Sequence, residues 1–223
     1  MIRACAWCSP DSCGVITPKS RFSQFRSPGR VSSEELTELI GRPIKYASRM
    51  TFECRACLYA AGLALKTCDW LDGASREIGL VGAGYDGCLL ADDRYFHDYV
   101  TSGRSLGRGN LFIYTLPSST LGEVAIALGL TGPGLHIHGE RDPLGTLAQQ
   151  AEQFIADGET DAMLALWSDA VSAVCLAIDR AKDASDKSPS FPSPDMSRAW
   201  LDLPVESNPA CLARRLALLA GSA

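Results

Sequence analysis

The chain has 223 residues, which is enough for one domain with a substantial core or for two small ones. Its composition, 46% hydrophobic and 21% charged, is ordinary for a folded soluble protein. The net charge of −5, without a large basic block, argues against nucleic acid or an anionic membrane as the main partner. The first residues, "MIRACAWCSPDSCG", do not resemble a secretion signal, so the nine cysteines predict reduced thiols in the cytoplasm.

The first half of the chain mixes short apolar runs with glycine-rich and serine-rich stretches. In chain order, the patterns predict a strand over 2–7, a loop over 14–31, a helix over 34–40 capped by Ser32 or Ser33, a helix over 50–67, a strand over 76–81, a helix over 92–101, a glycine-rich loop over 102–109 and an extended segment over 111–115. The helix over 50–67 has the clearest periodicity, which only Gly62 weakens.

The second half alternates strands and helices more regularly. The patterns predict a helix over 120–129 that ends at glycine, a strand over 135–138, a helix over 142–156, adjacent strands over 161–167 and 173–179, a loop or linker over 182–198 and a helix over 212–220. This alternation predicts an α/β layered fold. No apolar run is long enough to predict a membrane span.

The segment Gly82-Ala83-Gly84-Tyr85-Asp86-Gly87 fits the G-x-G-x-x-G pattern of dinucleotide-binding folds. The sequence after it lacks a clear helix at Gly87 and lacks a second strand that ends in an acidic residue. A flexible strand exit is therefore the favoured interpretation.

Two cysteine pairs, Cys5-x-x-Cys8 and Cys54-x-x-Cys57, have the spacing of a four-thiolate zinc site. However, Cys54 and Cys57 lie inside a predicted helix, and Cys8 leaves a predicted strand. Buried thiols that act as small hydrophobic side chains are the competing interpretation. We therefore expect no metal or other cofactor, with these four cysteines as weak candidates.

His136 and His138 alternate with Leu135 and Ile137, so they share one face of a predicted strand. Two such histidines suit a metal, but they more often lie at an interface or have hydrogen-bond partners. After this strand comes a sharp turn that carries Glu140, Arg141 and Asp142.

The helix after that turn is expected to begin at Pro143, with Asp142 as its cap. A helix N-terminus lowers the pKa of a thiol and stabilises an oxyanion, so it suits a cysteine nucleophile. The turn contains no cysteine, and Arg141 is protonated and cannot attack a substrate.

At this point the sequence resembles the N-terminal half of β-ketoacyl synthases, which have the thiolase fold. The resemblance is carried by "TLPSSTLGEVAIALGLTGPGLHIHG" and "FIADGETDAMLALWSDAV", in which "GLTGP" and "DGETDA" fall in register with the family pattern. "REIGLVGAGYDG" is similar to an earlier strand of the family, which gives the glycine pattern a role other than nucleotide binding. The resemblance implies a mixed central sheet with helices on both faces.

When the family pattern is matched to this sequence position by position, Arg141 stands where the family has its nucleophilic cysteine. The resemblance therefore implies a chain without condensation chemistry. Residues 1–185 would form the ketosynthase-like domain, and 186–223 a Ser/Pro-rich linker followed by a helix that packs on the same domain. The family's other catalytic residues lie in a C-terminal half that has no counterpart in this sequence.

The family also implies a dimer in which the strand with Leu135, His136, Ile137 and His138 pairs across the two-fold axis. The segment with Leu111 and Phe112 would line the acyl tunnel of the partner. A non-catalytic, chain-length-factor-like partner or scaffold in fatty-acid or polyketide assembly is the favoured hypothesis.

Such a protein would form a homodimer or pair with a full-length ketosynthase, and an acyl carrier protein is a further candidate partner. One alternative is an enzyme that hydrolyses or decarboxylates acyl thioesters, with His136, His138 or Glu140 as base. The second alternative is a zinc-binding interaction protein that uses the four cysteines.

Overall fold

In the described part of the chain the strands form one mixed, seven-stranded sheet with the order β3-β2-β1-β7-β6-β4-β5, and most of these strands are apolar runs. The computed structural model describes residues 1–25, 29–71, 77–86, 88–105, 107–138, 143–180 and 208–221. β4 is parallel to β5 and β6, and the other neighbours are antiparallel. The strands are β1 (Ile2–Cys8), β2 (Ser12–Ile16), β3 (Arg21–Phe25), β4 (Ile78–Gly84), β5 (Gly134–Ile137), β6 (Ala162–Ser168) and β7 (Ala173–Asp179).

Helices connect the strands, and their ends carry local capping signals, of which those at Ser32 and Gly129 were predicted from the sequence. Ser32 forms a reciprocal capping box with Glu35, and the Thr51 side chain accepts a hydrogen bond from the Cys54 amide. Gly129 ends its helix at a φ of 70°, which few other residues adopt. The helices are α1 (Ser33–Ile40), α2 (Phe52–Thr67), α3 (Leu89–Thr101), α4 (Gly109–Phe112), α5 (Ser119–Leu128), α6 (Pro143–Ala156) and α7 (Pro209–Gly221).

The sheet separates two apolar cores, because successive side chains of a strand point to opposite faces. On one face, α1, α2 and α5 pack on side chains such as Ala6 of β1 and Leu164 of β6. On the other face, α6 and α7 pack on Trp7 of β1, Met163 of β6 and their neighbours. The predicted α/β fold, with a mixed sheet and helices on both faces, is confirmed.

Two segments differ from the sequence-based expectation. Residues 14–31 were expected to be a loop, yet they contain the end of β2 and the whole of β3. β2 pairs with β1 across a tight turn, and Gly14 lies against the Trp7 ring, where a Cβ would lie 2.4 Å from it. The predicted linker over 182–198 lies outside the described residues.

The segment over 111–115 was expected to be extended. It forms the end of α4 and a 3-10 turn, Ile113–Thr115, instead. Four apolar or aromatic residues in five positions suggested a strand, but no neighbouring strand is available to pair with them in the described part of the chain.

The Gly132-Pro133 turn before β5 packs directly on the backbone of β4. The Gly132 amide donates to the Ile78 carbonyl over 3.0 Å, and the Leu80 amide donates to the Pro133 carbonyl over 2.8 Å. A Cβ on Gly132 would lie 2.6 Å from the Gly79 nitrogen. The "GLTGP" motif therefore has a physical basis, since only glycine allows these two backbone segments to approach so closely.

Within the described residues, no single helix has both the length and the hydropathy of a membrane span. The segments Gly109–Thr115 and Ser119–Leu128 reach those values only together, across a bend of 104°.

Candidate functional site at the carboxyl edge of the sheet

The parallel strands β4, β5 and β6 end at the same edge of the sheet, where open α/β folds carry their sites. His138 follows β5 at this edge and is exposed. Glu140 and Arg141 lie in 139–142, outside the described residues, so their placement stays a prediction. α6 begins at Pro143, as its sequence predicts.

β5 is an edge strand, paired only with β4 in the described part of the sheet. Leu135 and Ile137 pack against the core beneath α6, and the alternation of the strand directs His136 to the opposite face. Partial burial lowers the pKa of His136, and the nearby His138 lowers it further. His136 is therefore mainly neutral at pH 7.

Leu111 and Phe112 lie in α4, not in an extended segment. Phe112 is 52% exposed and meets the Tyr95 ring edge-on, with 5.7 Å between the ring centroids. Leu111 is half-buried and lines a cavity of this same chain, beside Tyr114.

The four cysteines proposed for zinc do not come together. Cys8, Cys54 and Cys57 lie in the core beneath α2, whereas Cys5 lies in the core on the opposite face of the sheet. Cys5 and Cys57 are fully buried, and burial raises the pKa of both thiols, to about 12 for Cys5. No metal-ligand cluster is found in the described ranges. A four-thiolate site would require the Cys5 and Cys8 side chains to lie on the same face of β1, whereas they lie on opposite faces. The geometry therefore contradicts the zinc alternative.

The glycine-rich segment begins inside β4, and its Gly82 serves packing. A Cβ on Gly82 would lie 2.5 Å from the Leu121 side chain of α5, which sets the distance between that helix and the sheet. No helix was expected to open at Gly87, and the helix predicted over 92–101 begins three residues earlier than expected, at Leu89 of α3. Gly87 lies outside the described residues.

Sequence reasoning did not identify Glu53, which lies in the first turn of α2. Ser168, at the end of β6, donates a hydrogen bond to the Glu53 carboxylate over 2.7 Å. Burial raises the pKa of Glu53 to about 7, and the nearby carboxylates of Asp169 and Asp86 add to the shift. A carboxyl group that titrates near neutral pH in a cleft is a candidate functional group.

Glu53 borders a cavity of about 150 Å³ between α2 and α3, which we call the α2–α3 cleft. Its apolar walls are Met50, Phe52, Leu89 and Leu90. Asp86 lies at its edge and accepts a hydrogen bond from the Ala170 amide over 3.3 Å. The sequence could have indicated this cleft through the positions of two residues. Asp86 follows β4 and Ser168 ends β6, so both lie at the carboxyl edge of the sheet.

Glu53→Gln should raise the free energy of unfolding at pH 8 by about 2–3 kcal/mol. The pKa of Glu53 is about 7 in the fold against 4.5 in a free side chain, so the folded state holds the extra proton between these values. Wild-type stability should therefore fall as pH rises from about 4.5 through 7, and the amide should remove this slope.

Urea unfolding at pH 5 and pH 8 measures the effect. Glu152→Gln, at an exposed position of α6, is the matched control and should change stability by less than about 0.5 kcal/mol at either pH. Equal effects of the two substitutions at pH 8 would show that Glu53 is ionised without penalty.

Exposed apolar side chains occur along α3, α4 and the segment after them. Neither helix contributes a buried residue to the described core. We call this the α3–α4 surface, and its exposed side chains are Phe96, Val100, Phe112, Ile113 and Leu116. Exposed apolar patches of this kind commonly mark interaction surfaces.

No protein-family model and no curated protein sequence matches the chain. The chain is similar to a solved structure of the ketosynthase ApeO in complex with its chain length factor ApeC from Xenorhabdus doucetiae. The TM-score is 0.55 at 12% identity, over 99% of this chain and 91% of that one. It is also similar to the ishigamide ketosynthase/chain length factor, with a TM-score of 0.58 at 13% identity.

The second match covers 82% of this chain and 63% of the other, so the chain spans less than two thirds of that protein. Identities of 12–13% show a shared fold and not a shared activity. The chain therefore has a ketosynthase-like, thiolase-type fold.

Proposed function

We propose that the protein is a non-catalytic, chain-length-factor-like partner of a full-length ketosynthase in acyl-chain assembly. The observation that carries the proposal is the α3–α4 surface, where two helices of a ketosynthase-like fold contribute no fully buried residue to the described core. Association with a partner that covers an exposed apolar helix face is favourable, because it removes apolar surface from water.

Two further features support a partner role. β5 offers unpaired backbone groups at the edge of the described sheet, and a partner strand would satisfy them. The sequence resemblance implies that Arg141 stands where β-ketoacyl synthases have their cysteine, and a guanidinium cannot act as a nucleophile. Residues 1–185 would carry this interaction, with 186–223 as an appended segment.

Native mass spectrometry of the tagged chain, purified from its own source cells, tests the proposal. We expect a complex with a full-length ketosynthase in equal numbers of chains, and an acyl carrier protein would be a second, weaker component. A chain that is found only as a monomer or homodimer, and that turns over acyl thioesters, would contradict the proposal and favour the enzymatic alternative.

A further inference from the structure

A second cavity adjoins the α2–α3 cleft and has a different chemical character. Its volume is about 170 Å³, and it shares Arg30, Met50, Thr51, Ala91 and Arg94 with the cleft. The remaining lining residues are largely polar: Ser48, Arg49, Asn110, Leu111 and Tyr114. The two cavities form one continuous groove with an apolar end and a polar end.

Three guanidinium groups, those of Arg30, Arg49 and Arg94, line the polar end. Among the described residues, no carboxylate lies within ion-pair distance of any of them. Arg30 and Arg49 lie over aromatic rings instead, with the Arg49 guanidinium carbon 3.8 Å from the Tyr46 ring centroid. Stacked guanidinium groups keep their donors free for an anion, and they match carboxylate and phosphate geometry.

The apolar end can accommodate a hydrocarbon chain. Met50, Phe52, Leu89 and Leu90 form its walls, and Phe52, Leu89 and Leu90 are each at least 48% exposed, so an occupant would remove much apolar surface from water. Glu53 borders this end, where its neutral form is compatible with an apolar neighbour.

We propose that this groove binds a small anionic amphiphile, with its carboxylate or phosphate head at Arg30, Arg49 and Arg94 and its tail along Phe52, Leu89 and Leu90. The proposal does not rest on the partner role, because every residue involved belongs to this chain. It assigns a ligand to the protein itself.

Binding of a hydrocarbon tail should be coupled to protonation of the Glu53 carboxyl group. A bound tail removes water from the Glu53 carboxyl group and favours its protonated form. Ser168 donates a hydrogen bond to Glu53, and the carboxylates nearest to it are those of Asp86 and Asp169. The other charged or titratable groups around it are the thiols of Cys54, Cys57 and Cys88 and the guanidinium groups of Arg30 and Arg94. The neighbouring carboxylates also disfavour ionisation of Glu53. Because a bound tail favours the protonated form of Glu53, binding should weaken as pH rises through about 7.

Isothermal titration of the purified chain with octanoate and with octyl phosphate at pH 6.5 tests the site. We expect saturable binding of one molecule per chain, and at least tenfold weaker binding of octanol, which has the same tail without the charge. The two anionic probes also distinguish a carboxylate from a phosphate as the natural head group. Equal affinity for octanol and octanoate, or no saturable binding at millimolar concentration, would overturn the proposal.

Matched variants locate the site. Arg94→Gln should weaken octanoate binding about tenfold, whereas Arg214→Gln, on the helix over the opposite face of the sheet, should leave it unchanged. Octanoate stays ionised between pH 6 and 8, so a pH series reports the protein alone. Affinity should fall across that range in the wild type and stay constant in Glu53→Gln; an identical pH dependence in both proteins would overturn the proton linkage.

Discussion

If the proposed ketosynthase partner binds at the α3–α4 surface, Phe96→Glu combined with Leu116→Glu should weaken that association at least about 100-fold. The two side chains are 63% and 53% exposed in the isolated chain, so the fold does not depend on them. A partner that covers them would have to bury two unpaired carboxylates, which is strongly unfavourable. Surface plasmon resonance with the co-purified ketosynthase measures the change in Kd.

Phe22→Glu is the control for this experiment. Phe22 is 48% exposed and lies on β3, at the opposite edge of the sheet from β5. This variant should bind the partner as the wild type does, and all variants should keep the wild-type circular dichroism spectrum. A double variant that binds with unchanged Kd would remove the α3–α4 surface as the interface.

Gly132→Ala should lower the free energy of unfolding by about 2–4 kcal/mol. The added Cβ would lie 2.6 Å from the Gly79 nitrogen and 2.7 Å from the Ile78 carbonyl carbon. These atoms belong to the backbone of a buried strand and cannot move aside as a side-chain tip can. The turn would have to shift, which would stretch the two hydrogen bonds that join it to β4.

Gly134→Ala provides the matched comparison two residues away, because nothing lies within 4 Å of its added Cβ. It should be neutral or slightly stabilising, since alanine reduces the conformational entropy of the unfolded chain. Guanidinium chloride unfolding should show a lower midpoint for Gly132→Ala with an unchanged m-value. Similar midpoints for both variants would mean that the turn is looser than its contacts indicate.

Elements with local signals were predictable from the sequence. α6 begins at Pro143 and β7 spans Ala173–Asp179, as expected, because helix starts and continuous apolar runs depend on residues that are neighbours in the chain. β3 was not predictable, because its pairing with β2 is a tertiary contact that overrides a composition typical of loops.

The zinc alternative could have been weakened from the sequence. Residues three apart on a strand point to opposite faces, so Cys5 and Cys8 could not share a site once their segment was interpreted as a strand. Glu53 could not have been found, because an acidic residue in the first turn of a helix normally stabilises the helix from the surface. Its contact with Ser168 at the end of β6, a distant segment, belongs to the tertiary structure that makes this position partly buried.

The position of β1 has a consequence for how the protein reaches its fold. β1 lies in the middle of the sheet, and its Ala6 pairs with Cys175 of β7, although nearly all the other elements lie between them in the chain. During synthesis, the β7-facing edge of β1 therefore stays unpaired until β7 has left the ribosome, even if β1, β2 and β3 have already paired with one another. Such non-local pairing slows folding and leaves apolar surface available to other chains. Efficient production in cells should consequently depend on chaperones that hold the nascent chain.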